Sequence, residues 1–420
     1  MIGAGGVRRR FLLLRTLRWL PTGFLIPVMV LLLRERGFSL GEIGLITAAQ
    51  GVVVLLLELP TGGLADALGR RPVLLLGTAF NIGAVALFVV ADSMAALVAV
   101  FALQGVYRAL ESGPLDSWYV DAAQRADPDA DIERGLAHGG VALGAAVGLG
   151  TLLSGGLVAL GPVGGVEPLV LPLLASLALE VVHVTAIAAL MTETRPGRGM
   201  GYLLSSVRET PHVVNMSVRL VGASGILIAL VAVELLWGFG MTAFETYTPV
   251  RLADVIGGTE RAAAVLGPVS AAAWLIAAAG AGAVPTLVRW AGAAYAGATM
   301  HIVQGLTVAA IALAAGPLGV IAAYLATMGV HGAANPVHQG LLHRAVEGPS
   351  RRATVVSASS LTAHSGNALG GICLGALADA TSLTVAILAG AAVLAVAAPL
   401  YLVARTNPAT NRSQPGTLAT

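Results

Sequence analysis

Long apolar runs alternate with short polar breaks along almost the whole chain. A membrane-spanning helix needs about 20 mostly apolar residues, and twelve runs reach that length: roughly 11–33, 41–64, 72–92, 94–121, 136–160, 167–191, 222–249, 261–288, 293–315, 317–343, 353–378 and 382–404. Most gaps are a few residues of Gly, Pro or charge. The longest gap, 192–221, carries Arg195, Arg198, Arg208 and Arg219 with apolar residues between them. That pattern predicts an interfacial helix joining two halves of six. The expected organisation is therefore an N-terminal half over 1–191, a linker over 192–221, a C-terminal half over 222–404 and a polar, disordered tail over 405–420.

Composition agrees. The chain has 420 residues, of which 56% are hydrophobic and 11% charged, with a mean hydropathy of +0.84. A soluble domain carries about 25% charged residues, so this chain lacks the polar surface to cover a soluble globule. All 24 basic residues are Arg, and Cys373 is the single cysteine. A lone cysteine excludes an internal disulfide, and a net charge of +2 points away from nucleic acid. Arg8, Arg9 and Arg10 precede the first run without a small-residue cleavage site, which reads as a retained first helix rather than a signal peptide.

The arginines fall unevenly across the expected spans. Nineteen lie on one side, among them Arg70, Arg71, Arg125, Arg289 and Arg344; Arg34, Arg36, Arg251 and Arg261 lie on the other, and Arg108 lies within a span. The arginine-rich side is expected to be cytoplasmic, which puts both termini and the 58–71 loop in the cytoplasm. The halves repeat weakly at an offset of about 223. Asp66 then matches Arg289, Asp121 matches Arg344, and Gly69 matches Gly292. The acidic ends of helices 2 and 4 and the basic ends of helices 8 and 10 are candidates for a latch across the two halves; charges at helix ends are also common without one.

Residues 58–71 read Glu-Leu-Pro-Thr-Gly-Gly-Leu-Ala-Asp-Ala-Leu-Gly-Arg-Arg. Glycines let helices turn and approach closely, and an Asp with two Arg at the water boundary can form a charged contact that breaks as the protein changes shape. The pattern Gly62-x-Leu64-x-Asp66-x-x-Gly69-Arg70-Arg71 resembles the loop between helices 2 and 3 of the major facilitator superfamily, a class of membrane transporters. The resemblance implies an all-α membrane protein with twelve transmembrane helices in two pseudo-symmetric six-helix halves. It implies a cytoplasmic gate built from Gly63, Asp66, Gly69, Arg70, Arg71, Asp121 and Arg344. Asp66 would face the start of helix 11 near Ala353 and Thr354, and Arg70 would pair with Asp66 or Asp121. Arg70 and Arg71 could instead serve topology alone. Two further patterns are partial. Gln104-Gly105 of helix 4 match, but Phe101 stands where the family has Arg, with Arg108 one turn later. Gly150-Thr151-Leu152-Leu153-Ser154-Gly155-Gly156 resembles the Gly-Pro-x-x-Gly-Gly signature of helix 5 in drug/proton antiporters, but the Pro is missing and one Gly is Ser. Gly144, Gly148, Gly155 and Gly156 are read as packing residues.

Ionisable groups at bilayer depth are costly and face a cavity or a partner. Gln104, Arg108 and Glu111 form one stripe on helix 4, with Asp116 beyond it. Glu234, Met241 and Glu245 share a face of helix 7, and His331, Asn335 and His338 share one on helix 10. In the superfamily, helices 1, 4, 7 and 10 line the central cavity, and these stripes lie on three of the four, so their residues are the candidate substrate cavity. Glu234, Glu245 and Glu111 are the candidate proton carriers, because a desolvated carboxylate can take up protons near neutrality. Arg108, one turn from Glu111, weakens the case for that residue. Glu180 with His183 on helix 6 and His301 with Gln304 on helix 9 are read as internal polar pairs on peripheral helices.

No catalytic motif, metal-ligand cluster or Lys-containing phosphate loop is present in the sequence, so neither enzyme activity nor a cofactor is expected. The family resemblance implies a secondary transporter in the bacterial plasma membrane, working as a monomer. Its expected partners are a lipophilic small molecule, protons and the lipid bilayer, with proton-coupled efflux of an antibiotic, drug or secondary metabolite. Two alternatives stay open. One is proton-coupled uptake of an anionic small molecule held by Arg108; the other is a non-transporting membrane sensor.

Overall fold

The computed structural model describes residues 3–193, 199, 201, 208 and 214–403, without the side chains at 59, 60, 62, 66, 349, 350 and 353. The expected tail and most of the expected 192–221 linker lie outside the described residues. Apart from one isolated bridge between Val163 and Val166, the regular structure described is helical. In hydrocarbon every backbone N–H and C=O needs an internal partner, and a helix supplies that from one segment.

The first membrane run breaks into α1 (Ala4–Leu25) and α2 (Met29–Glu35), and the second is α3 (Leu40–Leu68). A reciprocal cap starts α3: Ser39 Oγ accepts from Glu42 N–H at 3.2 Å, and Ser39 N–H donates to Glu42 Oε2 at 2.8 Å. Next come α4 (Arg70–Val90), α5 (Met94–Glu111), α6 (Pro114–Ala126), α7 (Ile132–Ala159) and α8 (Leu171–Leu190). The 94–121 run is thus two helices. Gly113 at φ +94° and Pro114 at the first position of α6 interrupt it, because Pro114 has no N–H to continue the ladder.

The chain continues with α9 (Gly225–Glu245), α10 (Tyr247–Ile256), α11 (Thr259–Ala291), α12 (Ala293–Leu313), α13 (Pro317–Ala345), α14 (Pro349–Ala380), α15 (Leu383–Val396) and α16 (Leu400–Val403). Among the described residues, eleven helical segments are long and apolar enough to cross a membrane. The 32-residue α14 is long enough, but Thr354, Ser357, Ser359, Thr362, His364 and Asn367 make it polar. The protein is a multi-pass, all-α membrane protein.

The chain forms two compact units: Met1–Thr210 with Pro249–Leu275, and Pro211–Thr248 with Ile276–Thr420. In the first, Phe11 and Leu14 of α1 pack with Leu74, Leu115, Trp118, Tyr119 and Ile187, and the rings of Phe11 and Tyr119 stack with centroids 4.4 Å apart. Small residues let backbones touch. A Cβ on Gly23 would meet Gly150 Cα at 2.9 Å, and a Cβ on Gly155 would meet Gly267 Cα at 2.8 Å. Gly155 is a packing residue as expected. Gly144 and Gly156 face open space, and a Cβ on Gly148 would make only ordinary contact, so the small-residue reading of this helix holds for part of it.

In the second unit α9 packs most extensively against α14. A Cβ on Gly238 would collide with Ala363 O, and one on Gly366 with Leu235 O. With no water to drive apolar association inside a bilayer, such close backbone contact supplies the packing energy. Leu230 and Val233 of α9, Val337 and Leu341 of α13, and Tyr401 form its buried core.

Candidate functional site

A small cavity lies inside the second unit, lined by Val233, Glu234 and Trp237 of α9, His301 of α12, Ala334, Asn335 and His338 of α13, and Tyr401 of α16. The helical period puts Glu234 with Trp237, and Asn335 with His338, on single faces. The cavity measures about 20 Å³. A water molecule needs about 10–15 Å³ by this measure, and a drug-sized ligand needs a pocket of about 300–1,000 Å³. The cavity therefore suits water and protons, not an organic substrate.

His338 is 4% exposed, with a polar group opposite each ring nitrogen. Its Nδ1 lies 2.9 Å from the Tyr401 hydroxyl. Its Nε2 lies 3.0 Å from Glu234 Oε1, within ion-pairing reach but not aligned as a hydrogen bond. The His301 ring sits 5.0 Å from the fully buried Tyr401 ring, and His301 Nδ1 is 3.1 Å from Gly297 O. Its Nε2, and both amide atoms of Gln304 one turn on, are buried without a hydrogen-bond partner among the described residues. His331 turns to α9, stacked on Trp237 with centroids 5.4 Å apart and edge-on to Phe244 at 5.5 Å.

The first unit holds a second set of buried charges. Arg18 of α1 is 5% exposed. Its guanidinium meets Glu111 Oε2 at 3.1 Å, donates to Thr22 Oγ1 at 3.0 Å, and lies 4.4 Å from the Tyr107 ring and 4.6 Å from the Trp19 ring. The partner of Glu111 is thus Arg18, not the Arg108 that its own helix suggested. Spacing along one helix cannot show what another helix brings. Gln104 is buried and Arg108 exposed. Asp116 pairs with Arg15 at 3.0 Å. Deeper, Glu180 is fully buried, accepts from Asn81 Nδ2 at 2.8 Å and lies 3.4 Å from His183 Nδ1.

Residues 58–68, expected as a polar loop, continue α3 as helix, and the chain turns at Gly69 alone, with φ +97°. Arg70 pairs with Asp121 at 2.8 Å and donates to Ser117 O at 2.8 Å. Of the two partners expected for Arg70, the structure shows Asp121; the side chain of Asp66 lies outside the described residues. Glu193, which no sequence motif marks, caps α4. Its carboxylate accepts from the backbone N–H of Arg70 at 2.8 Å and of Arg71 at 3.1 Å. A carboxylate there complements both the unpaired N–H groups and the helix dipole. A Cβ on Gly69 would meet Glu193 Oε2 at 2.8 Å. Gly292, one repeat later, precedes α12 at φ +76° and ψ 153°, against +97° and 155° at Gly69. Gly63 is buried, and Arg344 in the second unit is exposed.

The sequence profile of the Major Facilitator Superfamily matches residues 11–347. The chain belongs to this superfamily. No curated protein matches the sequence. Among solved structures, the fold of this superfamily member is similar to that of the nucleoside transporter NupG, with a TM-score of 0.77 and 13% identity over 96% of this chain and 99% of that one. It is similar also to a bacterial homologue of the human lysosomal transporter Spinster, inward-facing and unoccupied, with a TM-score of 0.75 and 16% identity over 96% and 97% of the two chains. A structure from work on proton-dependent oligopeptide transporters gives a TM-score of 0.70 at 13% identity over 95% and 98%. At these identities the likeness is one of fold. Superfamily membership makes the protein a secondary transporter of a small molecule.

Of the residues expected to line a substrate cavity, Asn335 and His338 come together with Glu234 around the water-sized cavity. Met241 lies half-buried two turns further along α9, and Glu245 is exposed at its end. His301, expected in a peripheral polar pair, and Tyr401, which no sequence pattern singles out, both line the cavity. Tyr401 gave no signal, because one aromatic near the end of an apolar run looks like any membrane-interface residue.

Proposed function

We propose that this protein is a proton-coupled exporter of a hydrophobic antibiotic, drug or secondary metabolite. It acts as a monomer by alternating access between halves 1–191 and 222–404, in a bacterial plasma membrane with both termini cytoplasmic. One observation carries the coupling: Glu234 lines a cavity of water size with His338 at 3.0 Å and no arginine in the lining. A carboxylate and an imidazole within ion-pairing reach, beside a cavity with room for a water, are a suitable place for a proton to be taken up and released. Glu111 is a weaker carrier, since it must first leave Arg18. Glu245 is weaker too, being exposed. The gate reading of the polar loop draws support from the Arg70–Asp121 pair, and the substrate reading from the Ala, Val, Leu and Gly content of the helices.

The test is accumulation of lipophilic dyes and antibiotics in cells with and without the protein, with and without a proton uncoupler. The expected result is lower accumulation that the uncoupler abolishes and Glu234→Gln removes. Uncoupler-resistant export, or full coupled export by Glu234→Gln, overturns the coupling. The exposed Arg108 within the Met94–Ala126 span favours a second reading, uptake of an anionic small molecule. Concentrative uptake that Arg108→Gln abolishes would establish it in place of export.

A further inference from the structure

His338 is hydrogen-bonded on one edge of its ring and within ion-pairing reach of a carboxylate on the other, and the two partners come from different helices. Glu234 faces Nε2 at 3.0 Å and the Tyr401 hydroxyl faces Nδ1 at 2.9 Å. His338 is 4% exposed and Tyr401 0%, so bulk water does not substitute for either. We infer that Tyr401 is a positioning residue that reverses its hydrogen bond to His338 each time the Glu234–His338 pair gains or loses a proton. This rests on the reading of Glu234 as the coupling carboxylate.

The protons can be followed atom by atom. Without the extra proton, Glu234 is a carboxylate and the imidazole is neutral. The imidazole proton then sits on Nε2, facing the negative charge. Nδ1 is bare, and the Tyr401 O–H donates to it. One more proton enters, and it has two resting places. On the imidazole, both nitrogens carry hydrogen. On Glu234, the carboxyl O–H donates to Nε2, and the imidazole hydrogen stands on Nδ1. In both cases Nδ1 carries an N–H and the Tyr401 oxygen accepts. The hydroxyl hydrogen turns away, and the adjoining cavity of about 20 Å³ has room for the water that accepts it.

A hydroxyl is suited to this place because it both donates and accepts. A fixed donor would leave two hydrogens facing each other in the protonated state; a fixed acceptor would leave a bare Nδ1 in the other. Either mismatch orphans a buried polar atom and pins the pair in one state. Among the described residues, the other titratable group lining the cavity is His301 of α12; α14 and α15, which pack on α9, bring none to the lining.

The experiment is nitrogen NMR of histidine-labelled protein in detergent, following His338 across a pH titration. Nδ1 is expected bare at high pH and protonated at low pH, while Nε2 keeps its contact with Glu234. Tyr401→Phe keeps the ring and removes the hydroxyl. It forfeits a charge-assisted bond in the protonated state against a weaker neutral one in the other, so the midpoint falls by about half to one pH unit. Nδ1 protonated at both extremes, or bare at both, overturns the inference, as does an unmoved midpoint in the Phe variant. If that variant does not fold, the wild-type titration decides alone. Loss of coupled export in Glu234→Gln without a switching Nδ1 sinks the Tyr401 role and leaves the coupling. A switching Nδ1 with full coupled export in Glu234→Gln sinks the coupling and leaves the proton switch.

Discussion

Arg18 and Glu111 hold each other at 3.1 Å with 7% and 13% of their side chains exposed. Removing one partner strands the other in a low-dielectric interior, which costs about 3–5 kcal/mol, whereas replacing both by apolar residues is often neutral. Arg18→Leu alone and Glu111→Leu alone are therefore expected to lower the melting temperature in detergent sharply. The double variant is expected to recover most of the loss. A double variant as unstable as the worse single one would show that the aromatic faces of Trp19 and Tyr107, not Glu111, are what hold Arg18.

The turn at Gly69 makes a second pair of expectations. Gly69→Ala places a Cβ at φ +97° and 2.8 Å from Glu193 Oε2, so both strain and a displaced cap oppose it. Glu193→Ala leaves the first N–H groups of α4 without their carboxylate. Loss of a helix cap costs about 0.5–2 kcal/mol, and a charged acceptor falls toward the upper end. Both variants should melt earlier than wild type, and together they should be less than additive, because each disturbs the same contact. Full additivity would mean that the carboxylate does not act through the Gly69 turn.

At the other end of α4 a single side chain closes the helix. Arg36 donates to Phe88 O at 2.8 Å, Val89 O at 2.9 Å and Ala91 O at 2.6 Å. A cation there also meets the negative end of the dipole. Arg36→Lys keeps the charge but loses the planar fork, so it should restore only part of what Arg36→Ala loses, with about 1–3 kcal/mol separating Ala from wild type. Hydrogen exchange at the end of α4 is the direct measurement. Equal protection in the Lys and wild-type proteins would show that charge alone suffices.

The helices and the family were legible because both rest on local signals: apolar runs of spanning length, and a loop whose Gly, Asp and Arg spacing is compact. The site was legible only by halves. Glu234 and His338 stood out as ionisable groups at bilayer depth, but which faced which depends on how α9 and α13 pack. Arg18 looked like one more basic residue of an arginine-rich terminus, and only the fold buries it against Glu111. Glu193 lies 124 positions from Gly69 in the sequence, so no spacing rule links the cap to the turn it stabilises. The interruption at Gly113-Pro114 was written in the residues, and the continuous apolar pattern around it concealed it.

The buried trio on α4 and α8 separates shape from charge. Glu180 accepts from Asn81 at 2.8 Å and stands 3.4 Å from His183. Gln at this position keeps an oxygen for Asn81 and offers an N–H to the His183 ring, so Glu180→Gln is expected to stay within about 1 kcal/mol of wild type. Glu180→Ala leaves a buried amide and a buried imidazole unpartnered, each at about 1–3 kcal/mol, and opens a void besides. Melting in detergent orders the two variants. An Ala variant as stable as Gln would mean that water replaces the carboxylate. A Gln variant as unstable as Ala would mean that the pair depends on its charge, and would move Glu180 and His183 from structure toward proton chemistry.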